Sequence, residues 1–222
     1  MTAPLTLYTG PLSMFGMKAE IALREKGRPF ERIEVAYSAQ EGYSPKHPEV
    51  VRINPKRQVP VLVDGDLELF DSTQIFEYLH DIAPEPALWP REPSARARAR
   101  QLEHLSDEVY FPHVIRLMGL QDRLGEPQAI AEIAAAQAIH DRFEQHLADR
   151  SYLAGDYSFA DIAFYMAQLF GERMGVPLTV ASPKLRAWRD RVDERSAVRP
   201  VMVRFGAYLR DNHRVVPPHL PV

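Results

Sequence analysis

Residues 84–93 read Pro-Glu-Pro-Ala-Leu-Trp-Pro-Arg-Glu-Pro, four prolines in ten residues. Proline fixes φ and has no N–H, so neither a helix nor a central strand can run through such a stretch. It cuts the 222-residue chain into residues 1–83 and residues 94–222, with 84–93 as the linker. The two parts differ in hydrophobic period. The first mixes alternating and helical runs, and the second is helical throughout.

In the first part, Leu5 to Tyr8 is a short apolar run that predicts a strand. Met14 to Lys26 predicts a helix, with Phe15, Ala19, Ala22 and Leu23 near helical spacing and Gly27 just past its end. Phe30 to Val35 alternates and predicts a second strand. Residues 36–53 are broken by Pro and Gly and hold at most a short helix. Val61-Leu62-Val63 and Leu67-Glu68-Leu69 flank Asp64-Gly65-Asp66, a strong hairpin signal. Ser72 to Ile82 predicts a helix with Ile75, Phe76, Leu79 and Ile82 on one face. Two βαβ-type turns plus a hairpin give a four-strand sheet with helices on both faces, a thioredoxin-like arrangement. After the linker, helices are predicted over roughly 94–120, 127–148, 158–173, 182–194 and 197–210, followed by the proline-rich tail VVPPHLPV. The expected architecture is an α/β thioredoxin-like domain followed by an all-α domain.

Composition narrows the chemistry. With 45% hydrophobic residues the chain can bury a sizeable core. It has no cysteine, which excludes disulfides, cysteine metal sites and a catalytic thiol of its own. Thiol chemistry would have to use a ligand's sulfur. The eight histidines show no HExxH or other tight ligand spacing, so no metal is expected. The net charge is −3 and the arginines are scattered along helical segments, so no nucleic acid is expected as a partner. No run approaches the roughly 20 apolar residues of a membrane helix. MTAPLTLYTG lacks both the charged start and the long apolar run of a signal peptide. The expectation is a soluble, cytoplasmic protein without membrane partners.

Three motifs then point one way. Asn54-Pro55-Lys56-Arg57-Gln58-Val59-Pro60-Val61-Leu62 is similar to N-P-x-x-x-V-P-x-L of the soluble glutathione transferases. Asp71-Ser72 is similar to their Glu/Asp-Ser pair, and Ser158-Phe159-Ala160-Asp161 to the capping box of a helix in their second domain. With the thioredoxin-like half, the linker and the helical half, the whole chain resembles that family, and within it the serine-type, theta/zeta-like bacterial members. The resemblance implies a glutathione S-transferase with a detoxifying role, glutathione as co-substrate, a small electrophile as partner and a homodimer. It implies a cis Pro60, which would turn the Val59 backbone outward to pair with the extended peptide. It assigns the γ-glutamyl carboxylate to Ser72 and its N–H at a helix start, and the ammonium to Asp71. Gln58, Arg57 or Lys56 would meet the glycine carboxylate. From the residues alone, Asp71 to Gln74 also reads as an Asp-x-x-Gln capping box, and Ser158 with Asp161 as a cap rather than a site.

Ser13 lies in Gly10-Pro11-Leu12-Ser13-Met14-Phe15-Gly16, where a turn becomes a helix. The stretch is not GxSxG, so no hydrolase elbow is indicated. Serine without a base is a poor nucleophile, but it can donate a hydrogen bond. A thiol with a pKa of about 8.5 is mostly protonated at neutral pH, and lowering it by about 2 units takes about 2.7 kcal/mol. A hydrogen bond to a charged acceptor supplies about 1.5–3 kcal/mol, and a helix N-terminus adds about 0.3–1 kcal/mol. The resemblance agrees: in S-x-x-x-x-K-x-x-I-A-L, Ser13 matches the catalytic serine of theta- and zeta-like members. Tyr8 is the alternative, because other classes use a tyrosine at the end of the first strand. Met14, Phe15, Tyr110, Phe111, His113 and Val114 are the candidates for an electrophile site between the halves, with Met118, Phe205 and Tyr208 beside them; Arg116, like His113, could orient a polar substrate or be solvated. Leu12-Ser13-Met14-Phe15 departs from the Ser-Ser-Cys run of zeta-like isomerases. A glutathione-dependent isomerase or ether-cleaving enzyme and a non-catalytic binding protein remain as alternatives.

Overall fold

The computed structural model describes residues 5–38, 40–44 and 46–220. The first four residues of MTAPLTLYTG and the last two of the proline-rich tail lie outside the described residues. The first half runs β1 (Leu5–Thr9), α1 (Met14–Glu25), β2 (Phe30–Glu34), α2 (Pro48–Ile53), β3 (Val61–Asp64), β4 (Leu67–Phe70) and α3 (Ser72–Ile82). The sheet order is β2-β1-β3-β4. Alternation sorts its faces. Leu5, Leu7 and Leu62 pack with α1 and α3 in the main core, while Tyr8, Val61 and Val63 pack with Val50 of α2 and Val35 on the other face. Asp64 pairs with Leu67, so the hairpin turns on Gly65-Asp66. Gly65 has φ +59°, as a tight turn of this kind demands.

One expectation needs correction. Only β1 and β2 are parallel; β3 runs antiparallel to β1 and to β4. There is a single βαβ unit, not two. Strand alternation reads the same in both directions, so the sequence pattern did not carry the direction of β3.

The helical half holds α4 (Pro93–His104), a π-helical stretch (Leu105–Tyr110), α5 (Phe111–Met118), α6 (Pro127–Leu147), α7 (Phe159–Arg173), α8 (Pro183–Asp193) and α9 (Arg199–Asp211). The single helix expected over 94–120 is thus interrupted by a wider turn. Pro112 has no N–H to offer the carbonyl of Glu108, and the segment before it opens to π spacing. α7 is the central helix, buried continuously from Phe159 to Gly171. Its capping box forms: Ser158 N–H and Oγ both donate to Asp161 Oδ2, at 2.8 and 2.9 Å. Asp161 Oδ1 accepts from Leu153 N–H and Trp188 Nε1, both at 2.8 Å. The pair is structural, as its sequence implied.

The linker is packed rather than free. Leu88 and Trp89 are buried, and the Phe159 N–H donates to the Leu88 carbonyl at 2.9 Å. Lys26 Nζ donates to the Pro86 carbonyl at 2.7 Å. The Val59–Pro60 bond is cis, as the resemblance implied, and so is Glu85–Pro86. α1 lies against both α3 and α7, with nine of its twelve residues buried.

Candidate active site

A cleft of about 250 Å3 opens between the halves, where the start of α1, Tyr43, Lys46, His47 and the 57–59 turn face α5 and α7. A recess of about 100 Å3 lies beside it, lined by Gln58, Val59, Pro60, Asp71, Ser72 and Asp107 among others. Phe15 lines both.

Ser13 borders the cleft. It is the N-cap of α1, and its Oγ accepts the Gly16 N–H at 3.0 Å. That bond occupies a lone pair and leaves the hydroxyl proton free to donate. Cap and donor are therefore compatible roles for one oxygen. The turn before it is held from 31 residues away, where Tyr43 Oη accepts the Leu12 N–H at 2.8 Å. Gly16 is required by contact: a Cβ there would meet Thr9 Oγ1 at 2.1 Å and Ser13 Oγ at 3.0 Å. Gly16→Ala is expected to cost about 1–3 kcal/mol of stability by overpacking, read as a lower melting temperature.

The 54–60 turn is pinned by Asn54. Its Nδ2 donates to the Gln58 carbonyl at 2.6 Å and its Oδ1 accepts the Lys56 N–H at 2.9 Å. Among the described residues, no hydrogen bond engages the Val59 N–H or C=O. Arg57 and Gln58 line the cleft and Lys56 the recess. Lys46 and His47, which the sequence reading missed, join Arg57 in the cleft, and none of its lining residues is a carboxylate. His47 Nδ1 accepts the Glu49 N–H at 3.3 Å, so Nε2 carries the ring proton of the neutral tautomer. The only signal for these two was their place just before the Pro48 helix start.

Asp71 sits at φ +76°, ψ +128°, a conformation L-residues rarely adopt. Such strain costs on the order of 1–3 kcal/mol and tends to gather at functional sites. Its Oδ1 accepts from Thr73 N–H at 3.0 Å and Gln74 N–H at 3.3 Å. The N-cap half of the predicted box forms; among the described residues Gln74 returns no side-chain bond. The cap thus uses one carboxylate oxygen and leaves Oδ2. Ser72 is buried at the first helical position, where N–H groups have no helical partner.

The third missed residue is Asp107, on the π-helical stretch. Its Oδ2 pairs with Lys18 Nζ, while its buried Oδ1 has no partner. Lys18 is fully buried and also donates to Glu103 Oε1 at 3.2 Å, which accepts Thr73 Oγ1 at 2.7 Å. Burial alone would lower Lys18's affinity for its proton, but Asp107 and then Glu103 outweigh it and raise it. Asp107 is pushed up to about 7 by burial, against the pull of Lys18. One cation facing two buried carboxylates leaves the group one positive charge short, beside a recess suited to an ammonium.

The remaining predicted residues divide. Met14, Phe15 and Phe111 line the cleft with Ile115, Met118 and Phe170. Phe15 meets Phe111 edge-on at 5.3 Å. Tyr110, Val114 and His113 do not line it. Tyr110 is fully buried, bonded to His140 Nε2 at 3.0 Å, and Val114 lies in the core. Burial raises the Tyr110 hydroxyl and pulls His140 down to about 4. His113 and Arg116 both bond Glu132, at 2.5 and 2.7 Å, and tie α5 to α6. One helix face carries 110, 114 and 117 and the next carries 111, 115 and 118. Spacing defines both stripes but not which one meets the cleft. In the structure Ile115 and Met118 are exposed and line the cleft. Phe205 and Tyr208 line a separate hollow behind the Gly10-Pro11 turn. Tyr8 packs on His47 at a centroid distance of 5.0 Å and lines neither cavity. Burial and then Glu49 raise its hydroxyl. Among the described residues no group of His, Asp and Glu could hold a metal, and no helix is long and apolar enough to cross a membrane.

The sequence matches the family models "Glutathione S-transferase, N-terminal domain" over residues 7–87 and "Glutathione S-transferase, C-terminal domain" over 108–196. Glutathione S-transferase 3 of Zea mays is 34% identical over 206 residues, covering 88% of this chain and 91% of the relative. Glutathione S-transferase F10 of Arabidopsis thaliana is 29% identical over 213 residues, covering 90% and 97%. The crystal structure of a tau class glutathione S-transferase from Mangifera indica superposes with a TM-score of 0.79 at 22% identity, covering 95% of this chain and 99% of that one. Both halves are matched in order, and the fold agrees with that of solved members. The chain belongs to the glutathione S-transferase family of enzymes.

Proposed function

We propose that this protein is a serine-type, theta/zeta-like transferase that binds glutathione across the recess and cleft and activates its thiol through Ser13. The observation that carries the reading is the free donor side of Ser13 Oγ, at the N-terminus of α1 and on the cleft wall. The Val59 backbone pairs with the peptide. Ser72 and the start of α3 take the γ-glutamyl carboxylate, and Asp71 with Asp107 takes the ammonium. Arg57, Gln58, Lys46 or His47 meets the glycine carboxylate. The thiol proton passes to solvent and Ser13 donates to the sulfur anion. The thiolate attacks an electrophilic carbon held by Met14, Phe15, Phe111 and Phe170; the C–S bond forms as the leaving group departs with its bonding pair. The enzyme is read as a cytoplasmic homodimer, and exposed Leu67 on the edge strand β4 supports the dimer.

The test is a titration of bound glutathione followed by thiolate ultraviolet absorbance. A thiol titrating well below its free value is expected. An unshifted thiol on a protein that still binds glutathione would leave only a binding role. Product analysis separates conjugation, which consumes glutathione, from isomerisation, which returns it. Tyr8→Phe is expected to keep turnover within about twofold, because the lost hydroxyl faces neither cavity. An inactive Tyr8→Phe beside an unaffected Ser13→Ala would reverse the assignment.

A further inference from the structure

A cavity of about 480 Å3 lies where the turn after α1 and the strand β2 meet the segment before α9. It shares no lining residue with the cleft or the recess. Its volume falls within the roughly 300–1,000 Å3 of small-molecule sites. Arg24, Arg28, Arg32, Phe30, Ser196 and Ala197 line it, and no Asp or Glu does. Arg28 is half-buried, and among the described residues its guanidinium has no carboxylate or other hydrogen-bond partner; its Nε is shut off from solvent. Arg24 and Arg32 are only partly satisfied. Their Nε atoms donate to the two oxygens of Glu20, at 3.1 and 3.0 Å, and Arg204 shares the second of those oxygens. Glu34 accepts from Arg32 at 2.9 Å but lines the neighbouring hollow behind Gly10-Pro11. Four guanidiniums are thus set against two carboxylates. Burial lowers Arg204 despite Glu20, and Arg32 and then Arg24 add to the lowering, as crowded cations do.

Backbone donors add to the wall. Ser196 and Ala197 lie between α8 and α9, and among the described residues neither N–H has a hydrogen-bond partner. The carbonyls at the end of α1, which would repel an anion, are taken: Ala22, Leu23 and Arg24 accept the N–H groups of Lys26, Arg28 and Gly27. Arg195 next door is closed off by both oxygens of Glu25, at 2.6 and 2.9 Å. Forked N–H donors, two amides and a hydroxyl, with no acid on the wall, suit a compact anion rich in acceptor oxygens. A phosphate monoester carries about −1.5 to −2 charge at neutral pH and three such oxygens, more than a carboxylate offers. We propose that this cavity binds a small phosphate monoester, its head on Arg24, Arg28, Arg32 and the Ser196–Ala197 amides and its organic part against Phe30. The site stands apart from the glutathione reading and does not depend on it.

Calorimetry on the full chain at neutral pH, in chloride buffer of fixed ionic strength, tests this with phenyl phosphate, inorganic phosphate and benzoate. Phenyl phosphate is expected to bind at a single site, about tenfold tighter than benzoate, and tighter than inorganic phosphate, which lacks the ring. Arg28→Gln is expected to weaken it about tenfold, and Arg28→Lys, which keeps the charge but not the fork, should restore part of the loss. Arg28 gives up no ion pair in either change, so the melting temperature without ligand and the turnover should hold. Absence of phenyl phosphate binding, equal binding of benzoate, or displacement by S-benzylglutathione would overturn the proposal, and none of these needs a variant to fold. Inorganic phosphate binding as tightly as phenyl phosphate would overturn the assignment to an ester. Full affinity in a folded Arg28→Gln would show that the anion sits elsewhere, and the proposal would fall.

Discussion

Ser13→Ala is expected to slow turnover about tenfold or more, because a hydrogen bond of about 1.5–3 kcal/mol to the sulfur anion is lost. The thiol of bound glutathione should move back toward its free value. The same change removes the N-cap of α1, which costs about 1 kcal/mol of stability. Activity loss alone would therefore confuse donor with cap. Ser13→Asp separates them. Aspartate caps as well as serine and suits the positive end of a helix, so the melting temperature should hold. An aspartate beside the sulfur offers no proton and repels the thiolate, so turnover should fall further than in Ser13→Ala. The thiol should then titrate above its free value. A stable, fully active Ser13→Asp would show that the hydroxyl only ever capped the helix.

Lys18→Met is expected to be the most destabilising single change at this junction. It leaves Asp107 and Glu103 buried against each other without their cation. Breaking a buried pair in this way costs about 3–5 kcal/mol, or about 10 °C in melting temperature for a chain of this size. The loss has a definite pH dependence. Burial raises Asp107 to about 7, above its unfolded value. A carboxyl raised in this way binds its proton more tightly when folded. Its favourable contribution is complete below about pH 4 and disappears as pH climbs through about 7. The unmodified protein should therefore lose stability over that window relative to Asp107→Asn. In Lys18→Met the dependence should steepen, so the deficit measured by thermal melts is larger at pH 8 than at pH 5. Lys18→Met with Asp107→Asn should recover part of the loss, since one of the stranded charges is gone.

The hairpin at Gly65 and the helix starts at Ser13, Asp71 and Ser158 were all legible, because each depends on short-range backbone chemistry. The strand direction of β3 and the π spacing before Pro112 were not; alternation and helical periodicity are indifferent to both. At the site, Ser13, Gln58, Val59, Asp71 and Ser72 come from contiguous motifs and converge on the cleft and recess. Tyr110 and Val114 failed for another reason. They sit one helical step from Phe111 and Ile115, and only the packing of α5 on α6 and α7 decides which stripe turns inward. Lys46, His47 and Asp107 were hidden because they act by position: nothing in their neighbours distinguishes them from surface polar residues.

The burial of α1 has a consequence for how the chain could be divided. The two matched family regions invite treatment as separable modules, joined by a proline tether. Yet this one helix sends Lys18 to Asp107, Glu20 to Arg204 and Glu25 to Arg195, three bridges to the far side of the tether. Cut at the linker, the first fragment would carry a buried lysine without its acids and the second would carry acids and arginines without theirs. The junction that looks in sequence like the natural place for a scissor is the place where neither piece would be self-sufficient. Shuffling halves between relatives should succeed only when those three partners travel together.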